Sequence, residues 1–197
     1  MCKISIIMGI YKMINKKDIV KLAIDSILNQ TYRDFEFIIC DDGSNDGTYE
    51  MVQDLIENDK RVILIKNNEN KGLAYSLNHC LSIAKGKYIA RMDADDISMP
   101  NRLEKQIKFL DEHLEYAMVG CNLLLINDKG VWGKRILAEK PTKKSFLFTS
   151  PFCHPAIVMR KEILDKVNNY KVEKITRRAE DYDLFMRIYA NGYKGYN

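Results

Sequence analysis

Over the first 115 residues, short apolar runs alternate with amphipathic stretches. Ile4 to Met8, Phe35 to Cys40, Val62 to Ile65 and Tyr88 to Met92 are runs of four to six largely apolar residues. That is the length and composition of strands buried on both faces. Between them, apolar residues recur at helical spacing. They are Ile19, Val20, Ala23, Ile24, Ile27 and Leu28 within Asp18 to Asn29, then Met51, Val52, Leu55 and Ile56 after Thr48. Leu77, Leu81 and Ala84 do the same in Leu73 to Ala84, and Leu103, Ile107 and Leu110 after Pro100. Alternation of this kind predicts a doubly wound, mostly parallel α/β sheet in a single domain.

The pattern changes after residue 115. Met118 to Ile126 and Val131 to Ile136 flank Asn127-Asp128-Lys129-Gly130, which predicts a β-hairpin. Ala156 to Arg160 is strand-like. Glu180 to Asn191 is helical, with Leu184, Phe185, Ile188 and Tyr189 apolar and Gly192 a stop. The last residues resemble the start of a further strand. The domain thus divides into residues 1–115, an α/β half, and 116–197, a smaller β/α half.

Ligands of open α/β sheets sit at the carboxyl ends of the strands. Three polar loops follow predicted strands: Gly9 to Lys12, Asp41 to Gly47 and Asp93 to Asp96. They are expected to line one crevice. Asp93-Ala94-Asp95-Asp96 places three carboxylates in four residues, which repel unless a cation or solvent offsets them. A hard divalent cation takes one or two carboxylates plus phosphate oxygens; alternatively the cluster is a solvated turn with Asp96 capping a helix. Asp41 and Asp42 can accept hydrogen bonds from a base or ribose, or form an Asx-rich turn. Lys71 offers a cation to phosphate, and Tyr11 a face for a base. Glu180 and Asp181 head a helix, where the dipole favours carboxylates, and either can serve as a general base. His154, in a loop before a strand, is a candidate for an acceptor pocket, whereas His79 and His113 sit in amphipathic helices as packing residues.

Charge adds an asymmetry. Residues 1–128 carry 16 Lys and Arg against 20 Asp and Glu, and residues 129–178 carry 13 against 4. A basic segment of this kind attracts phosphates or an acidic membrane surface, or is simply a solvated face. The interleaved aromatics of a nucleic-acid binder are missing, and no GxGxxG follows the first strand, which argues against a dinucleotide-dependent oxidoreductase. Five scattered cysteines read as reduced thiols of a cytoplasmic protein. No apolar stretch approaches the ~18 residues of a membrane span, and no secretory leader is expected at the N-terminus.

Taken in order, Ser26 to Tyr32, Phe35 to Ile39, Asp41 to Thr48, Asn70-Lys71-Gly72, Arg91 to Asp96, His154-Pro155 and Glu180-Asp181 resemble glycosyltransferase family 2. The resemblance covers nearly the whole chain. It implies the GT-A fold, with 1–115 binding a nucleotide sugar and 116–197 forming the acceptor side, cut short at the C-terminus. It implies Tyr11 and Asp42 at the nucleotide base with Asp41 nearby, and Lys71 and Asp93 among the donor contacts. Asp93 and Asp95 become a DxD motif for Mg²⁺ or Mn²⁺, with Asp95 the metal ligand. Asp181 becomes the base, with Glu180 its neighbour. The implied reaction is inverting transfer from a nucleoside-diphosphate sugar, a UDP-sugar first, to a hydroxyl of a glycan or lipid-linked acceptor. Bacterial surface polysaccharide synthesis at the inner face of the cell membrane is the implied setting, with membrane contact through the basic second half. The alternative is a non-catalytic nucleotide-sugar-binding partner subunit. The chain departs from the family pattern at Gly9-Ile10-Tyr11-Lys12, where proline and Tyr-Asn are usual, and in the extra carboxylate of Asp96.

Overall fold

A computed structural model describes residues 2–56 and 59–197. Strands β1 (Ile4–Ile10), β2 (Phe35–Asp41), β3 (Val62–Lys66) and β4 (Tyr88–Arg91) are all parallel, in the order β3-β2-β1-β4. The sheet continues through β8 (Val158–Arg160), antiparallel to both β4 and β5 (Met118–Val119), and ends on β9 (Gly195–Tyr196). The expected mostly parallel sheet is therefore present, with β8 as its single reversed strand among the described residues.

Period-two alternation explains why the strands are apolar throughout. Ile4, Ile6, Met8 and Ile10 of β1 join Phe35, Phe37 and Ile39 of β2 in one core. That core is closed by α1 (Lys17–Leu28), α2 (Thr48–Leu55) and α4 (Arg102–Glu112). The residues between them, Ile7, Ile38 and Cys40, face a second core. It is closed by α3 (Leu73–Ile83), α5 (Lys161–Lys166) and α6 (Glu180–Ala190). The buried stripe of α6 is Leu184, Phe185, Ile188 and Tyr189, and Gly192 after it takes φ +85°. α3 and α6 cover the same face, and the first residues of both, Leu73 and Glu180, open onto one hollow at the rim of the sheet.

The predicted hairpin differs in one respect. Its first arm is two strands: Met118–Val119 stays in the central sheet, and β6 (Leu123–Asn127) leaves it to pair with β7 (Gly130–Arg135). The break falls at Gly120, whose N–H donates to Tyr196 O at 2.7 Å. A Cβ there would stand 2.2 Å from the Asn197 side chain. The final strand-like residues are β9, paired with β5. Asp96 is not a helix cap: α4 begins at Arg102, after Asn101.

Candidate active site

A cavity of about 580 Å³ opens at the carboxyl ends of β1 and β2. Tyr11, Asp42, Lys71 and Glu180 all line it, although 169 positions separate the first from the last. Hydrogen bonds between loops fix the floor. The N–H groups of Lys12 and Met13 donate to Ser44 Oγ at 2.9 Å and Thr48 Oγ1 at 2.8 Å. Tyr11 is thereby held against the Asp41–Thr48 loop and is 40 % exposed.

Asp42 is buried and spends its carboxylate on the neighbouring loop. Its Oδ1 accepts from Asn67 Nδ2 at 2.8 Å and Lys71 N at 3.0 Å, and its Oδ2 from Gly72 N at 2.8 Å. Gly43 lets the two loops meet. It takes φ +71°, and a Cβ there would stand 2.4 Å from the Glu69 carbonyl carbon, so only glycine fits without strain. Asp41 is fully buried and does not line the cavity. Its Oδ1 accepts from Ser44 N at 2.7 Å, while Oδ2 has no partner among the described residues.

The opposite wall is the strap from Lys171 to Arg178. Lys171, Lys174, Arg177 and Arg178 line the cavity and are exposed. The strap has one buried anchor, Thr176, whose hydroxyl donates within 3.1 Å of the Lys171 and Glu173 carbonyls. Arg178 adopts φ +68° and Lys12 φ +51°. Non-glycine residues in that region cost on the order of 1 kcal/mol and gather at functional sites.

Asp93, Asp95, Asp181 and His154 lie outside the cavity lining. The expectation that three loops line one hollow is met by the first two. The third follows β4 at the same edge of the sheet and stands beside them. Tyr170 is a buried phenol that titrates above the ordinary tyrosine range; burial is the main cause, and the charges of Arg91, Asp181, Asp93 and Glu180 also act on it. Tyr170 is clamped by Asn78, which donates to its carbonyl at 2.8 Å and accepts from its N–H at 3.1 Å. Its hydroxyl pairs with His154 Nε2 at 2.8 Å. Burial, and after it the Arg91 charge, pushes His154 well below the usual histidine range, so it is neutral and supports the site from behind.

Arg91 is fully buried and holds Asp93 Oδ1 at 2.5 Å. Asp95 is exposed and makes no hydrogen bond or ion pair among the described residues. Asp96 titrates above the ordinary aspartate range, through partial desolvation and then the charges of Asp93 and Asp95. Glu180 and Asp181, both half-buried on the first turn of α6, also lack protein partners among the described residues. Reasoning from sequence missed Arg91, Tyr170 and the individual strap cations. An arginine inside the apolar run Tyr88 to Met92 was a visible signal for the first. Nothing marked Tyr170 among the chain's 11 tyrosines.

The sequence pattern of "Glycosyl transferase family 2" matches residues 5–167. The chain belongs to this family. Relatives in it include EpsE of Bacillus subtilis (strain 168), a candidate glycosyltransferase, 45 % identical across 99 % of this chain and 69 % of its own length. A glycosyltransferase of Methanocaldococcus jannaschii is 37 % identical across 97 % of this chain and 66 % of its own. The Escherichia coli UDP-Glc:alpha-D-GlcNAc-diphosphoundecaprenol beta-1,3-glucosyltransferase WfaP is 34 % identical across 98 % of this chain and 73 % of its own. Among solved structures, mannosyltransferase PcManGT of Pyrobaculum calidifontis, in complex with GDP-Man and Mn²⁺, superposes with a TM-score of 0.77 at 20 % identity. The match covers all of this chain and 54 % of that one. The fold is GT-A, as the motifs implied. The chain spans about two thirds of these relatives and about half of the solved chain.

A divalent metal, common in this family, can be tested against the side chains. Among the described residues no three His, Cys, Asp or Glu side chains converge on one point. The protein offers an open pair, Asp95 with no protein partner and Asp93 with Oδ2 free beside its bond to Arg91. Two carboxylates completed by phosphate oxygens and water suit Mg²⁺ or Mn²⁺. The residues fit the group.

Proposed function

We propose that the chain transfers a sugar, with inversion, from a nucleoside-diphosphate sugar to a hydroxyl of a glycan or lipid-linked acceptor in bacterial surface polysaccharide synthesis. The observation that carries this is the meeting of Tyr11, Asp42 and Lys71 with the head of α6 in one cavity. A UDP-sugar is the donor of first choice, in keeping with the substrate named for the WfaP relative.

In this reading the base lies against Tyr11, and the cations of Lys71 and the strap draw the diphosphate into the cavity. Asp95 and Asp93 would hold Mg²⁺ or Mn²⁺, whose charge offsets that of the departing diphosphate when bound. Arg91 keeps Asp93 in place. Asp181 accepts the proton of the acceptor hydroxyl. The oxygen forms its bond to the anomeric carbon as the bond from that carbon to the phosphate oxygen breaks, and the electron pair leaves with the diphosphate. One displacement inverts the configuration. Glu180, beside Asp181 and facing the cavity, is suited to a sugar hydroxyl.

A thermal-shift titration with UDP tests the reading. With Mn²⁺ present, saturating UDP should raise the melting temperature, because a ligand of the native state stabilises it. Asp95→Asn should remove the metal-dependent part of that rise. No rise in the unaltered protein across a panel of nucleoside diphosphates would overturn the assignment.

A further inference from the structure

We propose that the β6–β7 hairpin seats the protein on an anionic lipid bilayer. The hairpin forms a sheet of its own and shares no ladder with the central one. An isolated strand pair is marginally stable in water and needs a covered face. One face has cover, since Leu123 and Leu125 are half-buried and Leu125 packs over Gly133. The other has none. Leu124, Ile126 and Val131 are 54 %, 51 % and 62 % exposed, and the pairing of Ile126 with Val131 puts them side by side. Trp132 is the extra residue of a bulge between them and is 64 % exposed. Grouped apolar side chains in water mark an interaction surface, and tryptophan favours the membrane interface.

Charge selects the occupant. Lys129 stands at the turn, and Lys134 pairs across from Leu124 on the open face. From residue 122 to 148 six Lys and Arg face two acids, Asp128 and Glu139. A second copy of the chain would bring the same positive charge against itself. A neutral bilayer would leave the cations without partners, whereas an anionic one accepts the apolar tip and the lysines together. With β8 reversed between them, β5 runs in the same direction as β4, so the hairpin leaves the sheet at the edge that carries the carboxylate loop. A bilayer under the hairpin would therefore lie on the side of the site, where a lipid-linked acceptor must present its hydroxyl. That last link rests on the transferase reading; the docking itself does not.

Trp132 is the chain's only tryptophan, so tryptophan emission reports this surface alone. The unaltered protein, without nucleotide or acceptor, is titrated with vesicles of phosphatidylcholine containing about 30 % phosphatidylglycerol, and with phosphatidylcholine alone. The expected result is a blue shift and co-sedimentation with the anionic vesicles only. Both should be reversed at about 0.5 M NaCl, where screening shortens to roughly 4 Å. Lys129→Glu with Lys134→Glu, two exposed positions where substitution leaves folding intact, should weaken sedimentation at least tenfold. Val131→Ser with Trp132→Ser should abolish it, with circular dichroism unchanged. No shift with anionic vesicles, or equal binding to neutral ones, overturns the proposal. So does emission already blue in buffer that reddens on dilution, which would mean a second copy covers the face. The UDP titration is independent, so failure of either leaves the other standing.

Discussion

The two walls of the cavity are built on opposite principles. The wall from β1, β2 and α3 is saturated: the Asp42 carboxylate accepts three hydrogen bonds, and Gly43 lies where no side chain fits. The facing wall, Lys171 to Arg178, is exposed and cationic and hangs on the single buried side chain of Thr176. The first wall's shape exists before any ligand arrives. The second stores its capacity as exposed charge on Lys174, Arg177 and Arg178, while Lys171 is paired with Asp183 at 3.7 Å. In the proposed reaction a nucleotide base needs a fixed slot, while phosphates need a field, and the two walls divide these tasks. The head of α6 stands at the cavity with two carboxylates that have no protein partner among the described residues.

The largest expected effect separates chemistry from both walls. Asp181→Asn should lower the transfer rate by about 10² to 10⁴, the usual contribution of a positioned base, while the UDP-dependent thermal shift persists. Loss of the shift together with the rate would mean that Asp181 belongs to the donor site. Next comes the rigid wall. Gly43→Val must force a positive φ and push against the Glu69 backbone, costing about 2 to 4 kcal/mol. Melting should fall by roughly 5 to 12 °C for a chain of this size, and donor binding should be lost with it. A normal melting temperature would show that the two loops are not locked together.

The same contrast explains what could be read from the sequence. The sheet, its helices and the N-terminal halves of the loops follow from local signals: apolar runs, helical spacing, and glycine at Gly43 and Gly192. Tyr11, Asp42 and Lys71 were legible because each sits beside such a signal. The hairpin's first arm was misread as one strand because Met118 to Ile126 is apolar apart from Gly120, Cys121 and Asn122. Only the approach of Tyr196 and Asn197, some 75 residues on, decides where it breaks. Tyr170 has no local mark, and His154 showed only as a loop histidine before a strand. Their burial and their pairing at 2.8 Å are products of tertiary structure.

Below these effects lies a pH dependence. The His154 imidazole is depressed in the folded protein, so the native state holds it neutral while the unfolded chain protonates near pH 6.5. The unfolded state then binds the extra proton. Stability supplied by this group is complete above about pH 6.5 and falls as pH drops toward the folded value, by about 1.4 kcal/mol per unit in that window. Urea titrations at pH 7.5 and pH 5.5 should show this loss, and His154→Gln should reduce it. An unchanged slope in the variant would assign the titration elsewhere.

The smallest expected effect on folding tests the charged wall. Lys174→Ala with Arg177→Ala removes two exposed cations that no ion pair holds among the described residues. Such surface changes leave stability within about 0.5 kcal/mol, so melting should barely move. Binding of UDP should nonetheless weaken several-fold at low salt, and the difference should shrink as salt rises, because a field acting across solvent is screened. If the wall is a field, Lys174→Arg restores binding, since charge matters and shape does not. If only lysine serves, the strap makes a fitted contact, and the two walls are less different than their hydrogen bonds make them.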